Sequence, residues 1–489
     1  MTNSLSFLAI LFIVIIGILV LGLIALYIID STQTHDTIRK NYPVIGRFRG
    51  FFTFLGEFFR QYFFAMDREE MPFNRAERDW VYQSAKGEDN THAFGSTRNL
   101  TPVGTPLFVN AAFPPLDEEV SHQAPDVIIG PYARTPYHAA SLINISAMSF
   151  GALSKPAILA LSKGAKLANC WLNTGEGGLS PYHLAGNCDI VFQLGTAKYG
   201  ARDKNANLDD KKLKAIADKP QVKMIELKLA QGAKPGKGGI LPGSKVTAEI
   251  AKIRGIEQGK PSISPNRHKD AGDIGELLDL INHIREVSGL PVGFKLVISS
   301  KQWCHDLCTE LKKRPIEQCP DFITIDSGDG GTGAAPMPLM DNVGLTISES
   351  LPMLIDALNE HDLRDRIKVI ASGKLITPAE VAWAYCAGVD FVNSARGFMF
   401  ALGCIQALKC NKNTCPTGIT THDADLQKGL DPTDKAERVK RYVKKIHYGA
   451  GLIAHSCGVE TPRALKRHHV RIVQPNGKSK PLDEIYPNQ

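Results

Sequence analysis

Three cysteines stand close together near the C-terminal end of the sequence, Cys404, Cys410 and Cys415, in the run GCIQALKCNKNTCPTG. Their spacing is C-x5-C-x4-C, and Pro416 follows the last of them. Thiolates clustered in this way are metal ligands, a disulfide framework or a coincidence. Iron suits them better than zinc, because no fourth Cys or His stands at zinc-finger spacing. Ferredoxin-type runs use a two-residue spacing, so this is a different arrangement. Three ligands suit a three-iron cluster, or a four-iron one with an open site.

Other residues with chemical potential lie upstream. Lys228 in ELKLA and Lys295 in GFKLV each interrupt an apolar run. A buried lysine needs a partner, so each is a structural ion pair or a cation placed beside a reacting group. The loop QGAKPGKGGILPGSK offers Lys234, with Arg254 further on; such cations clamp a dicarboxylate, and a solvated basic loop fits the spacing equally well. SGDGGTGAAP sets Asp329 and Thr332 among four glycines, including Gly330 and Gly331, and exposes amides that can hold an anion.

Composition narrows the classes. A formal charge of +7 over 489 residues is mild and does not argue for nucleic acid. Ten cysteines are too few for a disulfide scaffold, and the seven outside the cluster read as buried thiols in a reducing compartment. Cys304 and Cys308, four apart on an expected helix, have a metal pair as their alternative reading.

The N-terminus differs from the rest. Residues 5–29 form the apolar run LSFLAILFIVIIGILVLGLIALYII, which Asp30 ends. About 25 residues at 1.5 Å each suffice to span a bilayer. No basic n-region or small-residue cleavage site is evident. Arg39, Lys40, Arg47 and Arg49 follow the run, which predicts an outside N-terminus and a cytoplasmic body. The phenylalanines and arginines of RFRGFFTFLGEFFRQYFF are expected to pack in part on the body rather than lie along a membrane.

From residue 140 short apolar runs alternate with helical patterns. Strands are expected at LINISAM, CWLNTG, DIVFQLG, MIELKLA, VGFKLVIS, DFITIDSG, IKVIASGK and DFVNSA. Helices with their own caps intervene, as in SKPAILALSKGAKLAN and DIGELLDLINHIREVSG. The pattern predicts an α/β chain whose main domain is a (β/α)8 TIM barrel, with a single-pass transmembrane helix and an irregular lead-in before it. The expected divisions are a 1–30 anchor, a 31–139 juxtamembrane and lead-in region, a 140–425 barrel and a 426–489 helical extension. A doubly wound sheet is the runner-up, but no G-x-G-x-x-G turn follows an early strand. In a barrel, chemistry belongs at the C-terminal strand ends, where SAMSFG, NTGEGG, the Lys234 loop and SGDGGTGAAP all fall. Gly373 after the seventh strand and the turn Ala395, Arg396 and Gly397 after the eighth take the usual phosphate-gripping places.

Taken together, SAMSFGALSKPA, NTGEGG, AQGAKPGKGG with LPG, DGGTGAAP and ALGCIQALKCNKNTCPTGI resemble the FMN-binding synthase domain of glutamate synthase, in one order over residues 142–419. The resemblance implies FMN in the barrel and a 3Fe-4S cluster on Cys404, Cys410 and Cys415. It implies reduction of 2-iminoglutarate, formed from 2-oxoglutarate and ammonia, to L-glutamate. By the same carry-over Ala147, Met148, Ser149, Lys228 and Gln231 line the flavin, with Asp329, Gly330 and Gly331 nearby. Gly373 and the Ala395–Gly397 turn hold its phosphate, Lys234 and Arg254 bind 2-oxoglutarate, and Glu176 meets the incoming ammonia. Lys228 would tune the flavin, with Lys295 or Glu176 managing protons.

The departures set further expectations. The family's glutaminase domain begins at a cysteine, whereas Thr2 and an apolar run follow Met1, so free or partner-supplied ammonia is expected. KGGILPG stands where the large synthases have EGGQLPG, so Lys237 and Ile240 replace a carboxylate and an amide; the loop ISPNRHKDAGD also differs. No pyridine-nucleotide module is apparent, which makes a protein the expected electron donor, a ferredoxin or a reductase. The alternatives are a membrane-bound flavin and iron–sulfur electron carrier, or a related enzyme acting on another imine.

Overall fold

The computed structural model describes residues 2–116, 118 and 125–487. Its contacts divide the chain into two compact units, Met1–Arg78 and Asp79–Gln489.

The larger unit is built on eight parallel strands: β1 (Ile143–Ile145), β2 (Leu172–Asn173), β3 (Ile190–Leu194), β4 (Val222–Lys228), β5 (Val292–Leu296), β6 (Phe322–Asp326), β7 (Lys368–Ser372) and β8 (Phe391–Ser394). They close in sequence order into a barrel, β8 pairing with β1. These are the eight runs expected from the sequence. Strands covered on both faces read as continuous apolar runs instead of alternating, as the fully buried FITID of β6 does. The helices between them carry the caps their sequences encode. Ser154 accepts from Ala157 N ahead of Lys155–Ala168, and Asp273 caps Ile274–Ser288, which Gly289 stops in the left-handed region.

One end of the barrel is closed. Val127–Ile129 and Tyr137–Ala139 pair antiparallel in the lead-in. Ile129, Tyr137 and Ala139 then pack against Trp171, Val191, Met224, Phe322, Ile370 and Phe391, which lie near the strand starts. This plug leaves the opposite, C-terminal mouth for chemistry. Residues 117 and 119–124 of the lead-in lie outside the described residues. The C-terminal extension supplies the helix Pro432–Ser456, so close to Lys155–Ala168 that a Cβ on Gly164 would come 2.5 Å from Val439 Cβ. Beyond it come strands as well as helix: Val470–Val473 pairs with both Pro106–Phe108 and Ser479–Pro481. Cys304 and Cys308 are buried on the helix Lys301–Lys312, and burial pushes both thiols up to about 12, as for core residues and not for metal ligands.

In the smaller unit, α1 (Thr2–Thr32) is followed by α2 (Thr37–Asn41) and α3 (Gly46–Phe59), which runs on as a wider turn over Arg60–Phe64. By length and composition α1 can cross a membrane. Within this unit Phe48, Phe51, Phe52, Phe58 and Phe63 are all exposed, because helical spacing gathers most of them on one side that α1 and α2 do not cover.

Candidate active site

Lys228 ends β4, and the register sets it beside Lys295 of β5. The two lysines have different partners. Lys295 Nζ lies 3.2 Å from Asp326 Oδ2, inside the barrel. Burial alone would lower its pKa, but Asp326 and Glu226 outweigh that and hold it above the usual lysine range. Asp326 Oδ2 also accepts from Gly232 N at 2.9 Å, so this ion pair anchors the loop after β4.

Lys228 points to the mouth. Its Nζ donates to Glu176 Oε1 at 2.7 Å and to Gln231 Oε1 at 2.5 Å. Glu176 comes from the NTGEGG turn after β2, pressed against the strand-one loop so closely that a Cβ on Gly177 would come 2.7 Å from Ser149 Cβ. Burial would raise the Glu176 carboxyl, but Lys228, Lys234 and Arg254 together hold it below the usual range. One carboxylate therefore faces three cations.

Lys234 is placed by two loop-to-loop contacts. Ala233 N donates to Gly328 O at 2.8 Å, and Lys234 Nζ donates to Ala334 O at 3.1 Å. Gly232 permits this approach: a Cβ there would fall on Ser327 O. Burial, reinforced by the neighbouring Lys228, lowers the Lys234 pKa to about 8. Arg254 ends the helix Ala248–Arg254 and is buried. It reaches Ser149 Oγ and Phe150 O at 3.4 Å and Ser262 Oγ at 3.3 Å, and its Nε has no hydrogen-bond partner. A buried guanidinium held by long bonds to neutral oxygens is an anion site in search of its anion.

The residues expected to grip a phosphate also come together. Arg396 opens the helix Arg396–Ala401 and donates to Asp329 O at 3.2 Å, and Lys374 Nζ lies 2.8 Å from Asp329 Oδ2. Gln231 Nε2 contacts Gly331 O at 3.4 Å. Gly373 has φ +122, and a Cβ on it would fall on Ser327, so β7 can end here only in glycine. Ala147, Met148 and Ser149 line the opposite side through the loop that Met148 N ties to Asn173 O. These loops form a cradle with two cations at one end and Lys228 at the other.

The cysteine run is arranged less completely. Cys410 and Cys415 both lie beside the Thr420 hydroxyl. Burial raises the Cys410 thiol. For Cys415 burial is outweighed by hydrogen bonds from Thr417 and Thr420, and the thiol is lowered. Gln406 N donates to Cys404 Sγ at 3.4 Å. Among the described residues no group of three or more His, Cys, Asp or Glu side chains is disposed to hold a metal ion.

Three functional residues were not singled out by the sequence. Lys245 is buried, and its Nζ bonds three backbone carbonyls: Ala152 at 2.6 Å, Thr420 at 2.9 Å and Cys410 at 3.3 Å. His268 donates from Nε2 to Lys228 O at 2.9 Å, which leaves its buried Nδ1 without a partner; burial lowers its pKa to about 4, so the ring is neutral. Tyr199 stacks at 5.4 Å under Arg254 and shares Ser262 with it. Two of them stand in loops the sequence marked, His268 in ISPNRHKDAGD and Lys245 at the end of QGAKPGKGGILPGSK. Conversely Lys237 is exposed, and Ile240 pairs with Ile263 in a short antiparallel ladder.

A family described as "Conserved region in glutamate synthase" matches residues 117–460. The chain belongs to the glutamate synthase family. It is an oxidoreductase. It is 39% identical over 498 residues to the glutamate synthase large subunit-like protein YerD of Bacillus subtilis (strain 168), covering 94% of each chain. With the archaeal glutamate synthase (NADPH) of Methanocaldococcus jannaschii it shares 33% identity over 331 residues, 68% of this chain and 61% of that one. The flavin-binding domain of baker's yeast flavocytochrome b2 has a similar fold, with a TM-score of 0.47 at 12% identity over 84% of this chain and 83% of that one.

Proposed function

We propose that this chain reduces 2-iminoglutarate, formed from 2-oxoglutarate and ammonia, to L-glutamate. An iron–sulfur cluster and FMN, when bound, would supply the redox chemistry with electrons from a protein donor, and α1 tethers the enzyme to a membrane with its body in the cytoplasm. The observation that carries the reading is the cluster of Lys228, Lys234 and Arg254 around the single carboxylate of Glu176. Three cations and one anion leave about two positive charges, which complement a dicarboxylate.

FMN fits the cradle: Arg396, Lys374 and Gly373 suit its phosphate, and Ala147–Ser149, Gln231 and Lys228 suit its ring. When bound it supplies the hydride for the imine carbon. The cysteine loop suits a 3Fe-4S cluster by its donors, since two thiols, the Thr420 hydroxyl beside them and the buried Lys245 cation favour an anionic group there. Cys404, Cys410 and Cys415 would hold it.

The chain's own residues then have distinct tasks. Arg254 and Lys234 bind the two carboxylates and orient the substrate, which replaces a bimolecular encounter by a fixed geometry. Lys228, held by Glu176, Gln231 and the His268–carbonyl bond, keeps a positive charge at the mouth. Glu176 stays ionised, so it can attract ammonium and take its proton as the amine attacks. Lys295 acts at one remove, by fixing Asp326 and so the Lys234 loop.

The test is single-turnover oxidation of anaerobically reduced, detergent-purified holoenzyme by 2-oxoglutarate plus ammonium. Fast flavin reoxidation with one glutamate formed per flavin is expected. A flavin that stays reduced with this pair but is oxidised by a quinone would replace the synthase reading with an electron carrier.

A further inference from the structure

The unpartnered aromatic side of α3 is the feature that the reading of the active site leaves unexplained. At 100° per residue Phe48, Phe51, Phe52, Leu55, Phe58 and Phe59 fall within an arc of about 120°. Arg49, Gly50 and Thr53 occupy the other side, while Phe54 lies outside the arc. The exposure is large, 62% for Phe52 and 52% for both Phe51 and Phe58. Such an array in water would be a severe aggregation liability.

The corner that leads into α3 is fixed. Asp30, at the end of the apolar run, is buried and takes a bidentate pair from Arg47, with Nε at 2.8 Å and Nη2 at 2.7 Å. The same carboxylate accepts from Val44 N at 3.0 Å. Gly46 lies so close to α2 that a Cβ would come 3.0 Å from both Arg39 Cα and Ile38 O. The first turn of α3 is thus clamped to the C-terminal end of α1, and the aromatic side begins where the bilayer-length helix stops.

We propose that α3 and its wider turn lie in the headgroup region of a bilayer containing anionic phospholipid, with the aromatic arc toward the acyl chains. Arg49 and Arg60, together with Arg39 and Lys40 near the corner, then meet lipid phosphates. Aromatic rings favour that boundary, and basic residues on the other side are held by the anionic surface. A segment of 19 residues is about 28 Å long. The inference rests on reading α1 as a membrane span.

The experiment places the photo-crosslinking residue benzoylphenylalanine, one site at a time, at Leu19, Phe52, Phe59 or Thr53 of the full chain, reconstituted in phosphatidylcholine vesicles with a quarter phosphatidylglycerol. Phospholipid adducts at Phe52 and Phe59, at least ~5-fold above Thr53, are the expected result. Adducts from Phe52 and Phe59 to the protein's own body or to a second polypeptide would overturn the proposal, as would equal lipid labelling at Thr53. The Leu19 site separates the two readings. Lipid adducts there with none at Phe52 sink the interfacial helix alone, whereas none at Leu19 removes the span and the interfacial helix together.

Discussion

Binding of 2-oxoglutarate should weaken as the pH rises through about 8, because Lys234 titrates there. The sign follows from the cause. Burial and Lys228 disfavour the ammonium, so Lys234 gives up its proton near 8 rather than 10.5, and only the ammonium attracts a carboxylate. Its contribution is therefore complete below about 8 and is lost above it, while the Arg254 guanidinium keeps its charge over that range. Two unit charges 4 Å apart interact by about 4 kcal/mol at an effective dielectric constant of 20. Desolvation of the substrate carboxylate offsets part of that, leaving roughly 1.5–3 kcal/mol, the usual worth of a hydrogen bond to a charged group. Kd should rise by ~8- to 30-fold between pH 7 and 9.5 and level off only above the pKa that Lys234 has in the complex. Lys234→Met should start at the weakened value and show no pH dependence across that interval. Equilibrium titration of the oxidised holoenzyme, followed by flavin absorbance, measures both. A wild-type Kd that is constant from about pH 7 to 9.5, or a Lys234→Met variant with wild-type affinity, would refute the assignment.

Three further outcomes test other parts of the site. Glu176→Gln leaves three cations without their carboxylate, so 2-oxoglutarate should bind at least as tightly, while ammonium-dependent reoxidation in single turnover should fall by ~100-fold or more, the usual scale of general-base catalysis. Lys245→Met strands three buried carbonyls at about 1–3 kcal/mol each before relaxation; residues 403–421 should become cleavable in limited proteolysis while far-ultraviolet circular dichroism stays unchanged. Gly232→Ala forces a methyl onto Ser327 O, so the loop carrying Lys234 should shift. A cost of roughly 1–3 kcal/mol should appear as a lower Tm, with a weaker Kd for 2-oxoglutarate and little change in flavin content.

Much of this protein was legible locally. Each barrel strand is a short apolar run, and most of the longer helices between them carry a capping side chain, so the order of elements needs no distant contact to be read. Because parallel strands joined in order place their C-terminal ends at one mouth, SAMSFG, NTGEGG and SGDGGTGAAP could be assigned to a common site before any coordinates. The aromatic segment showed the weakness of such reading. Its composition suits packing on a protein or on a lipid surface, and nothing in the spacing of its residues separates the two.

What the sequence determined was therefore the barrel, its mouth and the residue types gathered there, since periodicity and caps are properties of neighbours along the chain. What only the tertiary structure decided was which charge meets which. Nothing local distinguishes Lys228 from Lys295, two lysines on adjacent apolar strands, yet one joins Glu176 and Gln231 at the mouth and the other is spent on Asp326. Lys245 stood in a marked basic loop, yet its role was not legible, because its carbonyl partners lie 93, 165 and 175 residues away. A charge in a folded protein takes its role from the groups that close around it in space, and chain spacing does not encode that enclosure.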